Sequence, residues 1–422
     1  MDERLFEKRI DRRQFLRWTG LAGLVAAGVP YAKSHAAANE IPIGGIHPVT
    51  GPLAELGIAC RRAAQLAIDE INNAGGVKSM GGAKIKLLLG DSETKPVVGR
   101  SEAERLIKEG AVMLVGPFQS DTAMAIATLA EQRGIPFVID VGTADEITQQ
   151  GYKNTFRVCP TSAVFGKRTC EYVLQILKEK NVAVKRAVVT NTGDLFGKTQ
   201  GDMFIKMHKE MNLPFEIVEH IVYPLGVQDL SSEVAKIKAA KPDLLFPVTR
   251  SGDSRLLIRE LYKQRVPLKG IISPGSPGWY EPEVIKDLGV LVDYVLDNVP
   301  WVNPQSAKFR DANKKFSEKY PGKYLDANSG YAYTAVLVAV DALDRAASTD
   351  PKKLIAALRK TNLKDQPMVG GPVVFNEAGD NVDASTALIQ ILGGKAQVVM
   401  PSYAVEAKYV FPMPKQIWER GV

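Results

Sequence analysis

Two short stretches place hydroxyl groups next to glycines where the chain turns: LVGPFQSDT, Leu114–Thr122, and VIDVGTADE, Val138–Glu146. In the first, an apolar run breaks at Gly116 and Pro117, and a helical pattern begins at Ser120. In the second, the run ends at Asp140, and Gly142 and Thr143 follow. A helix start exposes unpaired amides and a partial positive charge, which accept a carboxylate or another acceptor group. Ser120 has the chemistry of an N-cap, with Asp121, Thr122 and Ala123 supplying the first free amides. It either caps its own helix or faces a bound group. Two neighbouring strand ends that carry hydroxyls and glycine suggest one polar pocket, with Asp140 at its edge.

Covalent and metal chemistry find little support. Ser120 lies in no GxSxG elbow, and no histidine falls predictably near it. The four histidines, His35, His47, His208 and His220, show no HExxH spacing, so no metal and no cofactor is expected. TNTGDLFGKT, Thr190–Thr199, ends like a phosphate-binding loop, but that pattern needs glycine where Thr192 stands. Cys60, Cys159 and Cys170 form no CxxC pair; they read as buried thiols, or as one Cys159–Cys170 bridge with Cys60 left over. The net charge is +7, but residues 1–36 hold seven Lys/Arg against four Asp/Glu, +3 of that total. With no basic stripe interleaved with aromatics, nucleic acid is not an expected partner.

The elements that must position these residues alternate. From Ile41, IPIGGIHPV, KIKLLLGD, VMLVGPF and IPFVIDVG read as strands. Between them lie helical periods over about 56–73, up to about 108, and 120–133. After YKNTFRVCP the rhythm restarts: helices over 168–180, 198–210, 230–240 and 255–264 separate strands at RAVVTNTG, PFEIVEHIVYP, DLLFPVT and LKGIISPG. Helices follow at about 304–319, 330–347 and from Pro351, with late strands at GPVVFN and TALIQIL. Such alternation predicts an α/β fold with two doubly wound parallel sheets. In open parallel sheets ligands sit outside the carboxyl ends of the strands, where Ser120 and Thr143 stand.

PVTGPLAELG, AIDEINNAGGV, VGPFQSDTA, TADEITQQGYKNTFRVCPTSAVFG, GDLFGKT, SGYAYTAVLVAVDAL and GPVVFNEAGD occur in this order over residues 41–400. In order and spacing they resemble the leucine/branched-chain amino-acid-binding proteins of ABC importers, with the type I periplasmic binding fold. The resemblance implies two lobes joined by a three-crossover hinge: residues 41–160 plus about 297–384, and 161–296 plus about 385–412. It also implies that Ser120 and Thr143, with the backbone of Gln119 and Gly142, hold a ligand carboxylate, and that Phe196 walls the pocket. Phe165, Trp279 and Tyr280 are either pocket walls or shielding. Three positions depart from the amino-acid-binding pattern: Leu56 where an aromatic is frequent, Gly275 where a glutamate receives the ligand's ammonium, and Arg250 where an aromatic is usual. Asp140, Asp253, Glu281 and Glu283 are the acids that could replace the missing glutamate. Arg250 either pairs with Asp253 or adds a partner for a second acceptor on the ligand.

At the N-terminus, DRRQFLR, Asp11–Arg17, precedes a short apolar run from Trp18 to Val29 and the small residues near Ala36. This reads as a twin-arginine export signal over 1–36 that sends the chain to the periplasm. The expected function is a non-enzymatic carrier of a small polar organic solute (amino acid, amide or organic acid). It would hand the solute to an inner-membrane permease whose ATPase is a separate chain. The alternative is a periplasmic sensor that reports the ligand to a membrane receptor or regulator.

Overall fold

The computed structural model describes residues 40–421. The expected export signal over 1–36, with its arginine pair, lies outside them.

The first lobe is built on five strands: β1 (Glu40–His47), β2 (Lys84–Asp91), β3 (Leu114–Val115), β4 (Phe137–Ile139) and β5 (Thr155–Arg157). They run parallel in the order β2-β1-β3-β4-β5. Helices α1 (Ala54–Asn73), α2 (Pro96–Lys108) and α3 (Ser120–Arg133) make the crossovers. Successive side chains of a strand point to opposite faces, so the central strands of a sheet covered on both sides are apolar on both faces. Accordingly Val115 and Val138 join the core on one face, while Leu114, Phe137 and Ile139 join a separate cluster with Ala103, Ile126 and Ala130 of α2 and α3.

The second lobe repeats the scheme. Its sheet takes β6 (Arg186–Thr192), β7 (Glu216–Tyr223), β8 (Leu244–Val248), β9 (Gly270–Ser273) and β10 (Leu296–Val299) in parallel, covered by α4 (Ser162–Lys180), α5 (Leu195–Glu210), α6 (Ser231–Ala240), α7 (Ser251–Gln264) and α8 (Pro282–Leu288). All five residues of β8 are buried. Leu245 faces one cluster, and Leu244 and Phe246 the other.

This sheet is not wholly parallel. β11 (Ala387–Leu392) pairs antiparallel with β10, and β12 (Lys395–Met400) antiparallel with β11. The two-residue turn at Gly393 and Gly394, with φ of 57° and 73°, leaves no length for a crossover, so the hairpin must be antiparallel. GPVVFN, expected as a strand, makes only isolated bridges, Leu363 with Val373 and Phe375 with Asn381. Helices α9 (Ala307–Lys319), α10 (Ala327–Ala346) and α11 (Pro351–Leu358) follow β10. α10 packs against α1, and Lys315 and Lys319 of α9 reach Glu70 and Asp69 of α1. β10, ending at Val299, belongs to the second sheet. No helix among the described residues is long and apolar enough to cross a membrane.

Candidate functional site

The ends of β3 and β4 are shaped by close packing. Gly116 has φ +108°, and a Cβ there would stand 2.2 Å from the carbonyl oxygen of Ile46. Only glycine ends β3 in this way. α3 then starts at Ser120, which is its first residue; its N-cap is Gln119, with φ −90° and ψ 129° and no side-chain cap bond. The expected capping role of Ser120 is therefore corrected, because the extended residue is Gln119 and the Gln119 side chain accepts a bond from Thr122 Oγ1 at 3.1 Å. The free amides shift by one residue as well, since Ala123 N already donates to Gln119 O at 2.9 Å.

Ser120 Oγ accepts from Ala144 N at 3.4 Å, which ties the start of α3 to the loop after β4. Thr143 anchors α4 through its carbonyl, which accepts from Ser162 N at 2.9 Å. The loop around it is held from behind by Arg157, fully buried at the end of β5. Arg157 donates to the carbonyls of Gly142 and Ala144 at 3.2 and 2.6 Å, to Thr148 Oγ1, and to Asp380 Oδ1 at 2.7 Å. Sequence reading missed this residue; the arginine in the otherwise apolar TFRVC was the available signal.

Across the cleft, Arg250 is buried, and its guanidinium pairs with Asp194 Oδ2 at 2.7 Å, not with Asp253. It lies 4.1 Å from the ring centre of Phe196 and 5.1 Å from that of Phe118, a cation–π arrangement. Its Nε has no hydrogen-bond partner among the described residues. Burial pushes the Asp194 carboxyl up, but the Arg250 charge and the bonds from Thr192 and Gly197 outweigh it and hold the group below its usual range. Asp253 instead accepts from the Arg250 amide and from the Tyr223 hydroxyl, and burial pushes its carboxyl up to about 6.

Gly275 has φ +131°, and a Cβ there would press on the Phe165 ring at 2.6 Å, so no longer side chain fits while that ring stays. Ser276 N donates to Asp297 Oδ1 at 3.0 Å, fixing the loop from below. Tyr280 closes the far wall: its hydroxyl accepts from Asn328 Nδ2 at 2.9 Å, and its ring meets Trp301 edge-on at 4.8 Å. Trp279 is fully buried and is not a lining residue.

These groups enclose a narrow interlobe cavity of about 20 Å³. The first lobe supplies Phe118, Val141, Thr143 and Asn328; the second supplies Phe165, Phe196, Arg250, Gly275 and Tyr280. Of the expected site residues, Thr143, Phe165, Phe196, Arg250 and Gly275 thus meet around one cavity. Gln119, Ser120 and Gly142 are buried and do not line it. Two do not belong. Leu56 is core on α1, and Asp140 faces away to His47 Nε2 at 2.7 Å. Phe118 and Asn328 were missed. A helix start at 327 was readable from DANS, where Asp326 and Ser329 form a capping box that places Asn328 in the first turn of α10.

None of the acids that might have replaced the missing glutamate lines this cavity. Asp140 pairs with His47, Asp253 with Tyr223, and Glu283 with Lys323 at 2.6 Å. The lobes are in contact around the cavity, Leu195 N donating to Asp121 Oδ2 at 3.1 Å and Thr199 Oγ1 to Glu146 at 3.2 Å. Metal-type donors gather once among the described residues: His47, Cys60 and Asp140 lie within 4.8 Å of one another. Burial pushes the Cys60 thiol well up, and His47 already bonds Asp140, so the group is arranged as packing. All three cysteines are free and buried, and the Cys159–Cys170 bridge is not formed.

The profile of the family described as Periplasmic binding protein matches residues 40–396. The Leu/Ile/Val-binding protein BraC3 of Rhizobium johnstonii is 28% identical over 356 residues, 84% of this chain and 93% of that protein. Among solved structures, the leucine binding protein LivK of Thermotoga maritima superposes with a TM-score of 0.74 at 24% identity, covering 85% of this chain and 97% of that one. A solute binding protein of R. palustris in complex with benzoate gives 0.75 at 22% identity, covering 88% and 100%. These two share the fold. The relatives are substrate-binding proteins and not enzymes. Two sheet-based lobes, a cavity between them and a match over most of the chain lead to one conclusion: this chain belongs to the periplasmic binding protein family.

Proposed function

We propose that the interlobe cleft marked by this cavity, which at about 20 Å³ has room for about one water and must widen as the lobes part, captures a small organic acid or amide with an apolar body and no ammonium group, and that the chain delivers it to a membrane permease powered by a separate ATPase chain. One observation carries the reading: Arg250 Nε is a buried donor without a partner, in a cavity whose lining residues include no carboxylate. A zwitterionic amino acid would bury its ammonium there unpaired, at a cost of several kcal/mol. A carboxylate or amide oxygen gains a charge-assisted bond from Arg250, and the Thr143 hydroxyl offers a further donor. Phe118, Phe165, Phe196 and Tyr280 suit an apolar or ring-bearing body, such as the benzoate held by the R. palustris protein.

The competing reading, a branched-chain amino acid, is favoured by the names of the relatives. Leucine and 4-methylpentanoate differ only in the ammonium, so calorimetric titration of both, with benzoate as a third solute, decides between the readings. The expected result is binding of one of the two acids at least about tenfold tighter than leucine, roughly 1.4 kcal/mol. Tighter binding of leucine would overturn the proposal. Export by the twin-arginine route is part of the same reading, and replacing Arg12 and Arg13 by lysine should abolish it.

A further inference from the structure

A second cavity, of about 250 Å³, lies between the lobes beside Tyr280. α1 lines it with Ile58 and Ala59, Tyr324 and Asp326 close one side before α10, and the second lobe inserts Glu281. The charged neighbours are already engaged. Lys323 pairs with Glu283 at 2.6 Å; Arg255 spans Asp287 at 2.8 Å and Glu55 at 3.5 Å; Arg62 lies 5.0 Å from the ring centre of Tyr320. Asp326 accepts from the amide and hydroxyl of Ser329. Glu281 is 3% exposed, and its Oε1 has no hydrogen-bond partner among the described residues. Burial, reinforced by Asp326 and Glu55, pushes its carboxyl well up. An unpaired carboxylate in such a place is unfavourable unless a cation joins it.

The walls select the cation. One unengaged carboxylate among the apolar surfaces of Ile58, Ala59, Pro282 and Phe316 supplies neither the six to eight oxygens of a calcium shell nor an octahedral magnesium cage. An alkylammonium ion brings a single charge, N–H donors for the carboxylate and an apolar tail for the walls. We propose that this cavity is a binding site for a small alkylammonium ion, with Glu281 as its counter-ion. Both lobes contribute walls, so occupancy favours the closed arrangement whatever the first cavity holds.

The test is thermal unfolding of the purified full chain in ethylammonium chloride against sodium chloride at equal ionic strength, for the wild type and E281Q. The expected result is a saturable rise in Tm of a few degrees with ethylammonium in the wild type and none in E281Q. E281Q without added salt should melt no lower than the wild type, because a neutral amide relieves the buried charge. Should E281Q fail to fold, Ala59→Leu, which fills the cavity and keeps the carboxylate, must abolish the ethylammonium response. No specific rise in the wild type, or the same rise in the variant, would overturn the proposal. So would a wild type that gains stability only as the pH falls and ignores the cation, since a proton would then occupy the cation's place.

Discussion

Removing the Asp380 carboxylate should unlock the loop that carries Thr143. Arg157 is wholly buried, and among the described residues Asp380 is its one ion-pair partner; the remaining acceptors are the carbonyls of Gly142 and Ala144 and the hydroxyl of Thr148. Asp380→Ala deletes the bonds from Arg157 Nε and Nη2, at 2.9 and 2.7 Å, and the bond from Thr148 Oγ1 at 3.0 Å. Breaking a buried pair by removing one partner costs about 3–5 kcal/mol. Asp380 is 20% exposed, so water reaches the site and the lower end of that range, about 3 kcal/mol, applies. Asp380→Asn keeps an acceptor and should cost about half as much. Urea unfolding checks this through a lower midpoint at unchanged slope. Titration of the variant with its best solute should show weaker binding, because Thr143 sits between the two carbonyls that Arg157 holds. A loss below about 1 kcal/mol with unchanged affinity would show that water replaces the carboxylate and that Arg157 does not brace the loop.

Three further outcomes follow from the same geometry. Gly275→Ala puts a Cβ 2.6 Å from the Phe165 ring at φ +131°, so strain and overpacking together should cost about 2–4 kcal/mol in urea unfolding and weaken solute binding; wild-type behaviour in both assays would refute the crowding. Thr143→Ala should weaken binding of a carboxylate by about 1–3 kcal/mol. Ser120→Ala should cost less, since Ser120 Oγ is turned to Ala144 N behind the cavity, and the reverse ranking by calorimetry would place the site deeper. Asp253 is held at about 6, above its unfolded value of about 3.9. The folded state therefore binds that proton more tightly, and the contribution of Asp253 to stability is greatest below pH ~4 and declines as the pH rises towards 6. Asp253→Asn removes this term, so its stability relative to the wild type should climb through that window by on the order of 2–3 kcal/mol and then level off. A difference that stays flat between pH 4 and 7 would refute the assignment.

The repeating rhythm of short apolar runs and helical periods was legible because central strands such as β8 and β9 are buried on both faces and read as continuous apolar runs bounded by Gly or Pro. α3 falls on the expected Ser120–Arg133. α4 begins at Ser162, six residues before the expected start, because Thr161 caps it and no apolar period marks the first turn. α8 was missed for lack of length, and β12 because exposed Lys395 and half-buried Gln397 interrupt the apolar run. At the cavity, local chemistry pointed to Thr143 at a strand end, and the family resemblance pointed to Phe196, Arg250 and Gly275; all four line it. Neither could choose partners. Asp194 stood unremarked inside GDLFGKT, although it caps α5 and neutralises Arg250. Arg157 with Asp380 is a pairing over 223 positions in sequence, which no local pattern encodes.

The Arg250–Asp194 pair bears on how the cleft discriminates among solutes. The guanidinium is neutralised within its own lobe before any solute arrives, and its plane is fixed against Phe196. It therefore acts as a preset donor more than as a free positive charge. A solute with one acceptor at the right place gains a bond without having to supply a counter-ion, so a neutral amide competes with a carboxylate more closely than it would at an unpaired arginine. Lobe contacts such as Leu195 N to Asp121, Thr199 to Glu146, Asn328 to the Tyr280 hydroxyl and Lys323 to Glu283 are the same for every solute, so they do not discriminate among solutes. The solute must then supply the difference between open and closed states, and a molecule that misses the Arg250 donor leaves a buried N–H unpaired in the closed form. Selectivity in this arrangement comes from the penalty on wrong solutes as much as from attraction to the right one.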